Sequence, residues 1–144
     1  MNNIQLPPKN PAGGTGRLRA AHVGLRTPDY AATLRWYTQK LGFRILKEWT
    51  VGALQLAFLA PANDDRFWLE IIHDPAAGPG SGPPLVAGFQ HLCFEVDHLD
   101  ETLAELRARA VRVIREPFSV PAIGKRCGFV ADLHGNVLEL AESI

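Results

Sequence analysis

Cysteine is scarce in this 144-residue sequence. The two present, Cys93 and Cys127, lie far apart and match no spacing of a cysteine-rich metal site, so free thiols are expected. Charge of one sign is missing too. Fifteen basic and fifteen acidic residues cancel and no basic run stands out, which argues against nucleic acid or an anionic membrane as partner. No apolar run is long enough to span a bilayer, and nothing near the N-terminus has the apolar core of a signal peptide. A reducing cytoplasm is the expected setting. With 47% hydrophobic and 21% charged residues, the chain has the make-up of a globular protein with a real core.

Breakers divide what remains. Residues 1–16, with Pro7, Pro8, Pro11, Gly13, Gly14 and Gly16, have no hydrophobic periodicity and read as a flexible N-terminal arm. A second such stretch, 75–84 (PAAGPGSGPP), reads as a linker. Two modules follow, 17–74 and 85–144.

Each module has the same order of elements. In the first, 19–26 is a strand, Thr27-Pro28-Asp29 signals a helix start, and 30–41 is a helix with Leu34, Tyr37 and Leu41 on one face. Gly42 ends it, and strands are expected at 43–49, 53–60 and 67–73. In the second, a strand at 89–96 is followed by a helix capped within Asp97–Asp100 and running to about residue 110. Strands are then expected at 111–116, 126–131 and 137–141. The chain is therefore βαβββ twice, an α+β protein with an internal repeat.

The repeat carries the chemistry. His22 and Glu70 recur as His91 and Glu139: 70 − 22 and 139 − 91 both equal 48. Both glutamates sit in apolar strands, where an ionised carboxylate is rarely found unless paired or bound to metal. Alternate strand residues face opposite sides. Val23 and Leu25, Leu69 and Ile71, Leu92 and Phe94, and Leu138 and Leu140 fall on faces suited to packing under the helices. His22, Arg26, Trp68, Glu70, His91, Cys93, Glu95 and Glu139 fall on the others. Should the two curved sheets meet, those faces enclose a pocket. Two imidazoles and two carboxylates suit one divalent ion (Ni, Zn, Co, Mn or Fe) with open positions for water or substrate.

The stretch His22-x-x-x-Arg26, continued by Trp36-Tyr37-Thr38-x-x-Leu41-Gly42-Phe43, resembles the opening of glyoxalase I. Asp132-x-x-Gly135-Asn136, followed by Glu139, resembles the turn and final metal strand of the vicinal oxygen chelate superfamily. That superfamily includes glyoxalase I, methylmalonyl-CoA epimerase, extradiol dioxygenases and the fosfomycin and bleomycin resistance proteins. The resemblance covers residues 17–144. It implies paired βαβββ modules forming a cupped, partly closed mixed sheet with helices outside, and His22, Glu70, His91 and Glu139 as metal ligands. The implied activity is a lyase or isomerase that transfers a proton on an α-hydroxycarbonyl hemithioacetal through an enediolate. Glu139 and Glu70 would be the catalytic carboxylates, with a thiol as cosubstrate.

Arg26 matches a substrate-anchoring position and Lys125 falls near a basic one, while Glu95, Trp68 and Cys93 would line the pocket. Glu95 would repel an anionic thiol conjugate unless it pairs with Arg26. Where glyoxalase I has an Asn-Trp-Gly-like stretch, this chain has Ile71-Ile72-His73-Asp74-Pro75. Other readings of the same fold are an epimerase of another α-carbonyl compound, an iron-dependent oxygenase, and a non-catalytic small-molecule binding protein. His73, His98 and His134 read as solvated surface. Half-open sheets with apolar faces favour a homodimer, and the sequence leaves open whether one chain or two build the site.

Overall fold

The computed structural model of the chain describes residues 6–10, 21–75, 91–121 and 124–144. Most of the expected arm, residues 76–84 of the expected linker, and residues 17–20 and 85–90 at the module starts lie outside the described residues.

The first module runs β1 (His22–Thr27), α1 (Tyr30–Leu41), β2 (Arg44–Val51), β3 (Leu54–Ala60) and β4 (Trp68–His73). The second runs β5 (His91–Glu95), α2 (Leu99–Ala108), β6 (Arg112–Val120), β7 (Lys125–Ala131) and β8 (Val137–Ser143). Each forms a four-stranded mixed sheet, ordered β1-β4-β3-β2 and β5-β8-β7-β6. The first and last strand of each module pair in parallel and the other neighbours antiparallel. This is the α+β architecture expected, two βαβββ modules whose sheets stay open.

Local chemistry sets the helix ends. Asp29 caps α1 by accepting from the Ala32 N–H at 2.9 Å. Gly42 ends it at φ 69°, a left-handed backbone that glycine adopts without a steric penalty. The second helix starts within the expected Asp97–Asp100 stretch, at His98, but that residue makes no side-chain capping bond. Asp100 and Glu101 instead lie in the first turn, where the helix dipole favours negative charge.

The helix-bearing faces of the two modules merge into one core. Tyr37, Leu59, Leu69 and Ile71 from the first join Leu99, Leu103, Val130, Leu138 and Leu140 from the second. Phe94 meets Phe43 and Phe67 edge-on at 5.7 and 5.5 Å between ring centroids. Each fully buried aliphatic side chain contributes about 1.5–3 kcal/mol by leaving water, so this shared core dominates the docking of the modules. Polar contacts complete the junction. Tyr37 donates to Asp132 at 2.9 Å, and His134 Nε2 lies 3.0 and 3.2 Å from the hydroxyls of Thr27 and Thr33. His134 is therefore a junction residue rather than the solvated surface group expected. Lys40 Nζ donates to the Arg109 carbonyl while Arg109 Nη1 donates to the Lys40 carbonyl.

Candidate metal centre

Parallel pairing of the first and last strands builds each His/Glu pair. In β1 and β4, Gly24 stands opposite Glu70, placing His22 two residues upstream on the same face. His22 Nε2 lies 3.2 Å from Glu70 Oε2. In β5 and β8, Cys93 stands opposite Glu139, and His91 Nε2 lies 2.7 Å from Glu139 Oε2. The two arrangements are copies, with Gly24 and Cys93 at equivalent positions. Side-chain exposure agrees: 38% and 34% for the imidazoles, 17% and 16% for the carboxylates. The carboxylates are thus mostly shielded while the imidazoles open to the surface.

These spacings fit a shared ion. Two ligands about 2.1 Å from one metal stand about 3.0 Å apart when cis in an octahedron and about 3.4 Å apart in a tetrahedron. The His22/Glu70 separation falls in that interval, and the closer His91/Glu139 pair needs a small spread. Within one chain, however, the four side chains form two pairs and not one cluster. Among the described residues, no three His, Cys, Asp or Glu come close enough to hold an ion. The cause is the shared core: with the helix-bearing faces turned toward each other, the His/Glu faces look outward.

Each pair has an aromatic neighbour that the sequence analysis missed. Phe58 stands opposite Glu70 on β3, 5.2 Å from the His22 ring, and Phe129 stands opposite Glu139 on β7, 5.8 Å from the His91 ring. The signal was the recurrence of Ala57-Phe58-Leu59-Ala60 as Gly128-Phe129-Val130-Ala131.

The other candidate residues distribute between the two faces. Trp68 shares the His22 face, 39% exposed, with its ring 5.4 Å from Phe58 and its Nε1 donating to the Asp65 carbonyl at 2.9 Å. Arg26 is on the same face and approaches the Asp74 carboxylate at 3.9 Å, not that of Glu95. Glu95 belongs to the other sheet and accepts from Lys125 Nζ at 2.6 Å. That hydrogen bond and the lysine's charge hold the Glu95 carboxyl below its ordinary range. Lys125 is itself buried and also donates to Ser143 Oγ at 3.0 Å. Cys93 lies on the His91 face. Burial, then the Glu139 and Glu95 carboxylates, push its thiol up to about 11, so it is protonated at neutral pH.

Two mixed sheets of βαβββ order, each bearing a His/Glu pair on parallel strands, define the class as a paired-module fold with a duplicated His/Glu pair. Residues 19–140 match the model of the Glyoxalase/Bleomycin resistance protein/Dioxygenase superfamily, and the chain belongs to that superfamily. It is 28% identical over 127 residues to a probable chloroplastic lactoylglutathione lyase of Arabidopsis thaliana, covering 86% of this chain and 35% of that protein. It is 25% identical over 151 residues to the mitochondrial methylmalonyl-CoA epimerase of Bos taurus, covering 95% of this chain and 80% of that protein. Among solved structures, a glyoxalase family protein from Enterococcus faecalis superposes with a TM-score of 0.74 at 28% identity. The match covers 86% of this chain and 97% of that one.

Proposed function

We propose that the protein is a metal-dependent lyase or isomerase that moves a proton on an α-hydroxycarbonyl substrate of the hemithioacetal type, at a site completed by a second copy of the chain. The observation that carries this is the duplication of the half-site. His22 with Glu70 and His91 with Glu139 each offer two ligands at ligand-like separation on outward faces. A two-fold axis that sets the first module of one copy against the second module of the other creates two identical four-ligand sites. Two imidazole nitrogens and two carboxylate oxygens suit Ni²⁺, Zn²⁺, Co²⁺, Mn²⁺ or Fe²⁺. Such an ion, when bound, supplies Lewis-acid stabilisation of negative charge on vicinal substrate oxygens.

The chain's own side chains handle the proton. Glu139 and Glu70 reach the composite chamber from opposite walls, and Glu139 takes the proton from the substrate carbon. Phe58 and Phe129 exclude water beside the two carboxylates. A thiol-derived substrate fits the lyase reading, and the free thiols Cys93 and Cys127 fit a reducing cytoplasm. One observation favours a second reading. With a carboxylate on each wall, a proton removed from one face can return on the other, as an epimerase of an α-carbonyl compound requires; the cattle epimerase is among the similar proteins.

Elemental analysis of protein purified without chelators or a metal-affinity column tests the proposal. About one equivalent of nickel, zinc, cobalt or manganese per chain is expected from one four-ligand site per chain in a two-fold dimer. Iron with oxygen uptake would mark an oxygenase. Failure to take up any metal, even on reconstitution, would leave a binding protein as the better account, and Glu139→Gln would then leave function intact.

A further inference from the structure

We infer, resting on the composite metal site proposed above, that the group this substrate carries beside its chelating oxygens is planar, apolar and uncharged. The first observation is an aromatic wall. Trp49, Phe58 and Trp68 form a continuous run, with ring centroids 4.7 Å apart for the first pair and 5.4 Å for the second. Phe58 joins them to the ligand His22 at 5.2 Å. The strand register puts all four on the Glu70 face, opposite the side that packs in the core. The shared core of the single chain therefore does not account for them. On the other half-site, Phe129 touches His91 and stacks nearly parallel on Phe118 at 5.9 Å. Flat aromatic faces next to metal ligands bind a planar apolar group by stacking or edge contact.

The second observation is independent and concerns charge. Three cations on these faces are engaged within the chain. Lys125 already has the Glu95 carboxylate at 2.6 Å and the Ser143 hydroxyl at 3.0 Å. Arg26 approaches Asp74, and the Arg115 guanidinium lies 3.7 Å over the Phe118 ring. Lys47 stands opposite Phe58 on the edge strand β2, so the aromatic face carries this exposed cation beside its rings. A substrate carboxylate reaching Lys125 must displace Glu95. It gains only the difference between two similar ion pairs and leaves a repelling carboxylate beside itself. The aromatic rings thus attract a flat apolar group, and on the His91 face the Glu95 carboxylate on Lys125 discriminates against an anionic one.

Hydroxamates separate the two ends of the ligand, because all of them chelate a metal through the same pair of vicinal oxygens. The metal-loaded protein is titrated calorimetrically with acetohydroxamate, benzohydroxamate and succinate monohydroxamate, after correcting for each probe's affinity for the free ion. Benzohydroxamate is expected to bind roughly tenfold tighter than acetohydroxamate, the gain of one or two aromatic contacts. The succinate probe is expected to bind no tighter than acetohydroxamate. Trp68→Ala should cut the aromatic preference to about threefold or less at unchanged metal content. Glu95→Gln should raise affinity for the succinate probe about fivefold by releasing Lys125. Equal binding of all three probes to metal-loaded protein, or tighter binding of the succinate probe by the unmutated chain, would overturn the inference while leaving the metal site standing. Failure to load metal would overturn the site itself.

Discussion

Tyr37 donates its hydroxyl hydrogen to Asp132 across the junction of the two modules, at 2.9 Å, with the ring fully buried and the carboxylate nearly so. The same carboxylate accepts from the backbone N–H groups of His134 and Asn136 and from Asn136 Nδ2. It therefore organises the turn that launches β8 and Glu139, and Tyr37 ties that turn to the helix following His22. Burial, then the charge of Asp132, hold the Tyr37 phenol far above its ordinary value, so it remains a donor at every working pH.

Tyr37→Phe removes one of four donors to Asp132 and leaves the packing in place. A hydrogen bond to a charged group is worth about 1.5–3 kcal/mol, and a loss of that size is expected. Urea unfolding with an unchanged slope would register it as a lower midpoint. A loss below about 0.5 kcal/mol would show that the turn is held without the phenol.

The outward placement of the two half-sites makes a mixing experiment decisive. Chains carrying His22→Ala and chains carrying His91→Ala should each be inactive and bind metal weakly. Mixed after unfolding and refolding, they form heterodimers in which one composite site has both substitutions and the other has none. Statistical mixing makes half of the dimers mixed with one good site of two, so about a quarter of the full metal content and turnover should return. No recovery in a solution shown to contain mixed dimers would mean that one chain closes its own site.

Much of this was legible from pattern. The recurrence of His22/Glu70 as His91/Glu139 and the period of two along the strands placed each pair on a common face, and Asp29 and Gly42 marked the ends of α1. What pattern could not supply was non-local. Parity says which side of a strand a residue faces, but not which of two apolar sheet faces meets the other module. Arg26 and Glu95 hold equivalent positions in β1 and β5 yet belong to different sheets, so Glu95 pairs with Lys125 and Arg26 approaches Asp74. The strand expected at 111–116 runs on through Pro117 to Val120. Pro117 is tolerated there because β6 is an edge strand and the pairing register shifts between Arg115 and Phe118. The contacts of Tyr37 with Asp132 and of Thr27 with His134 span 95 and 107 positions, beyond the reach of any local signal.

Cys93 offers a chemical readout of its surroundings in the metal-free protein. Its thiol is raised to about 11, so only a small fraction is thiolate near pH 8, and that fraction grows about tenfold per pH unit up to pH 10. Iodoacetamide labelling should follow that slope without the levelling an ordinary thiol shows near pH 9. Glu139→Gln removes the stronger of the two carboxylates that raise the pKa, so levelling should move to lower pH. An ordinary profile in the unmutated protein would mean that neither burial nor the Glu139 charge acts on Cys93.

The ends of the two helices differ in one residue, and the difference is measurable. Gly42 ends α1 at φ 69°, whereas the matching left-handed position after α2 is Ala110, at φ 60°. Its N–H donates to the Arg107 carbonyl, and the next N–H, of Val111, to that of Leu106, so the helix end is well bonded despite the strained residue. A Cβ in this conformation crowds the following carbonyl at a cost of about 1–2 kcal/mol. Ala110→Gly removes that cost but adds freedom to the unfolded chain, which takes back part of the gain. The net expectation is a stabilisation of about 0.5–1 kcal/mol, seen as a Tm raised by about 2–4 °C with metal content unchanged. Ala110 is exposed, so a cavity does not confuse the result. A lowered Tm would mean that the Ala110 side chain makes contacts worth more than the strain it carries.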